Sequence, residues 1–173
     1  SKEITYYRNE ENRGFASACN RGYSLSTASN VLFLNNDIRV KENKEGWTTE
    51  LIRGCFYALV GPTMGQLDDQ LNFVQEANRV LPGKSYMSGW CLASSKEIWE
   101  KLRLKDYLGP ISEEYGLAYF EDTDLGFRAR ALDIPMRVIS IPVVHFGKQS
   151  SKQLNVAQLY KQARQIFVRK WRK

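Results

Sequence analysis

An α/β domain, with a mixed sheet flanked by helices, is the fold class this sequence predicts, and three features predict it. Strand-like and helix-like segments alternate along the chain. The run Asn30-Val-Leu-Phe-Leu34 is apolar throughout, as in a strand covered on both faces, and it stops abruptly at Asn35-Asn36-Asp37. No internal repeat, low-complexity stretch or Pro/Gly/Ser linker divides the 173 residues, and 43% hydrophobic with 25% charged residues is the composition of a globular domain with its own core.

The elements follow in order. Thr5 to Arg8 is a short strand candidate, and Phe15 to Thr27 reads as a helix opening on Gly14, with Phe15, Ala18, Cys19 and Tyr23 along one side. The buried strand Asn30 to Leu34 comes next, then a helix over Gly46 to Cys55 and a short strand, Ala58 to Val60, ended by Gly61-Pro62. Thr63 to Lys84 has weak periodicity and is expected to be mostly loop. Cys91 to Ala93 reads as a strand, and Ser94-Ser-Lys-Glu97 before Ile98 and Trp99 has the capping-box pattern that starts a helix. Leu104 to Tyr119 is an irregular, Gly/Pro-punctuated loop. A helix beginning near Asp122 sets Leu125, Arg128, Ala129 and Leu132 on related faces, with Pro135 after its end and a strand over Met136 to Ile141 halted by Pro142. From Asn155 to Lys173, apolar residues at Val156, Leu159, Tyr160, Ala163, Ile166, Phe167 and Trp171 match helical spacing with a basic opposite face. We therefore expect residues 1–150 to form the main body and 151–173 an amphipathic basic helix, with its apolar stripe packed on that body and Lys161, Arg164, Arg169 and Lys170 toward water.

Charge and cysteine usage narrow the classes. The net charge is +6, but seven basic residues and no acidic ones lie from Ser151 onward, which leaves residues 1–150 at −1. A nucleic-acid binder spreads basic residues over a groove-facing surface with interleaved aromatics, and the body shows no such stripe, so nucleic acid is not an expected partner. The apolar runs, such as Val31 to Leu34 and Val138 to Ile141, fall far short of the ~20 residues that span a bilayer, and the first residues lack a signal-peptide core. Cys19, Cys55 and Cys91 are odd in number, lack CxxC spacing and sit among apolar neighbours, which suits buried free thiols in a reducing compartment; the expectation is a cytosolic chain.

Three polar positions stand out. Asn35-Asn36-Asp37 ends the buried strand, where α/β sheets gather ligands; it reads either as a strand-ending turn or as a carboxylate aimed at a divalent cation. Glu121, Asp122 and Asp124 crowd one helix start after Tyr119-Phe120; they read either as partners of the helix dipole or as a source of a general base. His145 is the one histidine, beyond a strand that Pro142 ends, and reads as either structural or a metal ligand.

Taken together these segments resemble the GT-A glycosyltransferases of family 2. Asn12-Arg-Gly-Phe-Ala16 followed by Asn20-Arg-Gly22 is similar to the family's N-x-G-F-A-x-A-x-N-x-G segment, and Leu34-Asn-Asn-Asp37 to its L-D/N-D/N-D strand end. Ser88-Gly89-Trp-Cys-Leu-Ala-Ser94 resembles the small-residue segment lining the acceptor side, and Phe120-Glu-Asp-Thr-Asp-Leu125 with Arg128 resembles E-D-x-D-L-x-x-R. His145 falls where many members have a metal-binding histidine. The resemblance runs from about Asn9 to Lys173 in the family's order.

The resemblance implies a GT-A-like (Rossmann-like) sheet and inverting transfer of a sugar from a nucleotide-sugar donor to a saccharide or lipid-linked acceptor, in cell-envelope polysaccharide or glycolipid synthesis. In that scheme Asp37 and His145 hold a divalent cation, Mn²⁺ or Mg²⁺, with the imidazole favouring Mn²⁺. Asp122 takes the acceptor proton, with Glu121 and Asp124 as the other candidates. Asn12, Gly14, Asn20 and Asn36 line the donor pocket, and Gly89 and Trp90 the acceptor side. The family normally begins with two further β-α units that hold the nucleotide base and ribose; with those expected to lie outside this chain, the corresponding expectations are a weak donor affinity and either a homo-oligomer formed through the uncovered strand edge or an N-terminal segment rearranged to cover it. The basic helix suggests peripheral contact with the inner face of a membrane. Two readings compete: a GT-A-like module that has lost catalysis and serves assembly, and a membrane-surface or nucleic-acid contact protein acting through the basic helix.

Overall fold

The computed structural model describes residues 4–41, 46–147 and 155–172. In chain order it contains helix α1 (Gly14–Leu25), strands β1 (Asn30–Leu34) and β2 (Ile38–Val40), helix α2 (Trp47–Cys55), strands β3 (Leu59–Gly61), β4 (Met64–Leu67), β5 (Phe73–Ala77), β6 (Ser85–Met87) and β7 (Cys91–Ser95), helices α3 (Lys96–Lys101) and α4 (Glu121–Ala131), strands β8 (Met136–Val138) and β9 (Val143–His145), and helix α5 (Val156–Trp171). The class is α/β, with a four-stranded sheet in the order β1-β7-β3-β8, a three-stranded sheet β5-β4-β6 and a two-stranded ribbon β2-β9. β7 runs against both β1 and β3, whereas β8 is parallel to β3, so β1, β3 and β8 share one direction. Their carboxyl ends lie along one edge, beside the start of β7.

Alternation of side chains gives the central sheet two covered faces. Leu59 and Leu92 turn to one side and join Tyr23, Phe33, Trp99, Leu125 and Ile134 beneath α1, α3 and α4. Val60, Cys91 and Ala93 turn to the other and meet Leu51 and Cys55 of α2. All three cysteines are free; Cys55 and Cys91 are buried and Cys19 is partly so. Burial pushes the thiols of Cys55 and Cys91 up to about 11 and about 12, away from the reactive range.

Several expectations need correction. Thr5 to Arg8 is exposed and forms no strand, since no ladder partner is offered to it. The 63–84 segment is not mostly loop: β4 and β5 pair as a hairpin and β6 flanks β4. Its sequence hides this because β5 leaves Phe73 and Val74 about half exposed, a bulge interrupts the register at Gln66/Leu67, and Gly65 replaces a side chain where the Tyr86 ring would lie 2.3 Å from a Cβ. Asp68 closes the hairpin by accepting the Asn72 amide at 2.8 Å. The strand expected over Met136 to Ile141 ends at Val138, and β9 follows Pro142 to pair antiparallel with β2, so His145 lies within a strand and not beyond one. Helix α3 is capped by Ser95, which accepts the Ile98 amide; Ser94 instead donates to the Ala58 carbonyl across the sheet. β1 is an edge strand of its sheet, with Val31 and Phe33 buried and Leu34 exposed, not one covered throughout.

Helix α5 docks as its spacing predicts. Ala163 and Phe167 are fully buried against Leu67, Leu71, Tyr115 and Phe120, with Trp171 packed beside them. Val156 and Tyr160 stay more than a third exposed, at the margin of that contact. Lys161 and Arg169 face water as expected, but Arg164 donates to the Gln70 carbonyl and Asn72, and Lys170 turns inward to Asp124 and Glu114. No helix among the described residues is long and apolar enough to cross a membrane. Phe167→Ala is expected to cost about 3–5 kcal/mol in urea unfolding, because it empties the centre of this contact. Val156→Ala should change stability by only about 0.5 kcal/mol. Equal midpoints for Phe167→Ala and the parent chain would show that α5 is not docked.

Candidate active site

Five of the residues singled out from sequence, Asp37, Gly89, Trp90, Asp122 and His145, lie near the carboxyl ends of β1 and β3. Past Leu34, the Asn35 amide donates to the Trp90 carbonyl at 2.9 Å, which joins the end of β1 to the segment entering β7. Asp37 then starts the β2-β9 ribbon, and its Oδ1 lies 3.0 Å from His145 Nε2. The two side chains are 11% and 24% exposed, so both are reachable from solvent. Trp90 stacks on the His145 ring at 4.8 Å with only 9° between the planes, and its indole N–H donates to Thr63 Oγ1 at 2.9 Å. Trp90 thus fixes the imidazole plane as well as filling core space. Asn36 is exposed at the same strand end.

Asp122 arrives from the opposite side, on the first turn of α4. The Gly89 amide donates to its Oδ2 at 2.8 Å, and the Thr123 amide and hydroxyl donate to Oδ1 at 2.7 and 3.2 Å. Gly89 lies close to Asp122: a Cβ there would sit 3.1 Å from that of Asp122, tighter than ordinary contact. Burial raises the Asp122 carboxyl above the usual range, opposed by the Gly89 and Thr123 hydrogen bonds and helped by the Glu76 charge. The turn that delivers it holds two consecutive non-glycine residues at positive φ, Tyr119 at 77° and Phe120 at 69°. Such residues cost on the order of 1–3 kcal/mol each and persist only where packing holds them. Here Phe120 packs on Phe167 at 5.0 Å and on Tyr160 at 5.2 Å, and Tyr119 meets Tyr160 edge-on at 5.8 Å.

The neighbouring acids have different fates. Asp124 is fully buried, with Oδ1 accepting from Tyr115, Trp171 and Lys170 and Oδ2 from Arg128 Nε at 2.7 Å, so it has no capacity left for a substrate proton. Arg128 and those donors outweigh burial and hold its carboxyl below the ordinary range. Its expected role as a base is therefore corrected to a structural one. Glu121 is 7% exposed, its Oε2 finds no hydrogen-bond partner among the described residues, and burial together with the Asp122 charge raises its proton affinity.

Of the expected donor residues, Asn20 and Gly14 brace the loop before α4. Asn20 is fully buried, donating to the Ile111 carbonyl at 2.7 Å and Glu113 at 2.9 Å and accepting the Ile111 amide at 3.0 Å, so its amide is consumed within the fold. Gly14, at φ 87°, lets α1 approach that loop, since a Cβ would lie 2.6 Å from the Gly116 carbonyl. Asn12 accepts the Gly14 amide at 3.1 Å. Thr63 and Glu76 are not singled out by the sequence: Thr63 adjoins the Gly61-Pro62 signal, whereas Glu76 lies in a segment without periodicity. Ser88 opens the small-residue segment that resembles the acceptor side.

No family model matches this chain, and no curated protein or solved structure matches it either. Among the described residues no group of three or more His, Cys, Asp or Glu side chains could hold a metal. The Asp37–His145 pair supplies two ligands on one side, which fits a divalent cation that completes its shell with phosphate oxygens and water rather than a closed protein cage.

The raised Glu121 carboxyl makes a pH prediction. Its folded-state preference for the proton contributes stability that is full below the ordinary Glu range and is lost as pH rises toward the elevated value. Glu121→Gln keeps the neutral shape and cannot ionise. Its melting temperature should exceed that of the parent chain at about pH 9, and the gap should close near about pH 4. A gap that is constant with pH would show that Glu121 ionises as freely as a surface residue.

Proposed function

We propose that this chain is the catalytic part of a metal-assisted, inverting glycosyltransferase that moves a sugar from a nucleoside diphosphate to a saccharide or lipid-linked hydroxyl. The observation that carries the reading is the convergence, on one sheet edge, of a solvent-reachable Asp37–His145 pair and a carboxylate, Asp122, held by the Gly89 amide. These residues come from four separate chain segments, and a purely structural account of all of them is harder to give than a catalytic one. The motif resemblance and the opposed strand β7 within an otherwise parallel sheet are consistent with a GT-A arrangement.

In this mechanism Asp122 receives the proton of the acceptor hydroxyl. The hydroxyl oxygen forms a bond to the anomeric carbon as the bond from that carbon to the diphosphate oxygen breaks. The Gly89 and Thr123 donors orient the Asp122 carboxylate, and burial makes it a stronger base than a surface aspartate, so it serves once deprotonated. Asp37 and His145 would hold Mn²⁺ or Mg²⁺, which supplies charge neutralisation for the departing diphosphate. Trp90, stacked on the imidazole and anchored on Thr63, keeps the ring from turning away. The exposed Lys161 and Arg169 on α5 suit a weak attraction to anionic lipid, on the order of 1 kcal/mol per charge at the surface.

The direct test is a screen of sugar nucleotides and simple acceptors with Mn²⁺ and Mg²⁺. Asp122→Asn should lower transfer by about 10²–10⁴-fold while leaving donor binding nearly intact. Asp37→Ala and His145→Ala should each weaken Mn²⁺-dependent nucleotide binding by about 10-fold or more in calorimetry. Unchanged turnover in Asp122→Asn would move the base elsewhere, and unchanged binding in His145→Ala would make the histidine structural.

A further inference from the structure

The hairpin β4-β5 carries Glu76 toward the same carboxylate. Glu76 lies on β5, an edge strand, and its Oε1 accepts the Ser88 hydroxyl at 2.7 Å. Ser88 is itself buried, its amide donates to the Thr63 carbonyl at 3.1 Å, and it directly precedes Gly89, whose amide holds Asp122 Oδ2 at 2.8 Å. A continuous path therefore runs from an exposed edge-strand carboxylate, through one hydroxyl and one turn, to Asp122. No other hydrogen bond ties the Glu76 carboxylate among the described residues, so its attachment to Ser88 is its one fixed contact.

Resting on the transferase reading, we propose that Glu76 is a positioning residue for Asp122: through Ser88 it fixes the turn that presents the Gly89 amide, and it sets a second negative charge beside the base. The titratable groups facing Asp122 are Glu121 on the same helix, Glu76 from β5 and Tyr86 from β6. Tyr86 is neutral over the working range, because burial first and then the Asp122 charge push its hydroxyl far up. Glu121 also favours its neutral form. The Glu76 carboxylate adds to the burial penalty that raises Asp122. Removing that charge favours the ionised form of Asp122, so the base would stay deprotonated to lower pH but would bind a proton less strongly.

Two variants separate the hydrogen bond from the charge. Glu76→Gln keeps an oxygen for the Ser88 hydroxyl and loses the charge; Glu76→Ala loses both. The full chain, labelled with ¹³Cγ-aspartate and ¹⁵N-glycine, is titrated by NMR without any sugar nucleotide. In Glu76→Gln the Asp122 carboxyl titration should move to lower pH while the Gly89 amide resonance stays in place. Glu76→Ala should move the Gly89 amide resonance. An unmoved Asp122 titration in Glu76→Gln overturns the charge role, and an unmoved Gly89 amide in Glu76→Ala overturns the positioning role. Because neither readout needs turnover, a failed search for transferase activity would count against the function alone. Where transfer is measured, the acid limb of the pH–rate profile should move to lower pH in Glu76→Gln.

Discussion

The site hangs on one buried ion pair, Asp124 with Arg128, one turn apart on α4. Asp124 has a side chain with no exposed surface, and a buried carboxylate stripped of partners costs several kcal/mol, so the fold must surround it with donors. It does so from three directions: Tyr115 from the preceding loop, Arg128 from its own helix, and Lys170 and Trp171 from α5. Arg128 in turn donates to the Leu102 carbonyl after α3 at 2.6 Å and the Pro110 carbonyl in the loop at 2.7 Å. The axis of α4 is thereby fixed relative to everything around it, and Asp122 sits two residues from the centre of that network.

This explains how a strained turn can hold Asp122 in place. Tyr119 and Phe120 in the left-handed region are unfavourable on their own, and the aromatic contacts with Tyr160 and Phe167 on α5 offset that cost. The same helix brings Lys170 and Trp171 to Asp124, so docking of α5 closes the network and clamps the turn together. On the other side, Asn20 saturates the backbone of the loop at Ile111, and Gly14 allows α1 to press against Gly116 and Leu117. Asn20 and Gly14 thus brace the loop that leads into α4.

Three acids within one turn are thus separated by environment. Asp124, ringed by cationic and neutral donors, is held ionised; Glu121, buried with an unpartnered oxygen, favours its proton; Asp122 lies between, with three hydrogen bonds and a raised carboxyl. Environments that drive equivalent groups apart are a frequent basis of acid–base specialisation. Across the edge, the Trp90 stack and the Asp37 contact fix both the plane and one nitrogen of His145.

The sequence by itself determined the α/β class and the helices α1 to α5, because these depend on local periodicity, strand ends and helix starts that a few neighbouring residues encode. The spacing of Ala163 and Phe167 foretold a docked α5 for the same reason. Only the tertiary structure decided the hairpin β4-β5 and the ribbon β2-β9, whose strands are short or half exposed and take their pairing from distant partners rather than from alternation. It also decided which acid is spent. Asp122 and Asp124 differ by two positions and share a side chain, and no local rule separates them; the difference lies in Gly89 on one side and in Arg128, Lys170 and Trp171 on the other, groups brought there by packing. Proton affinity is set by burial and by charges close in space, and those are properties of the assembled fold.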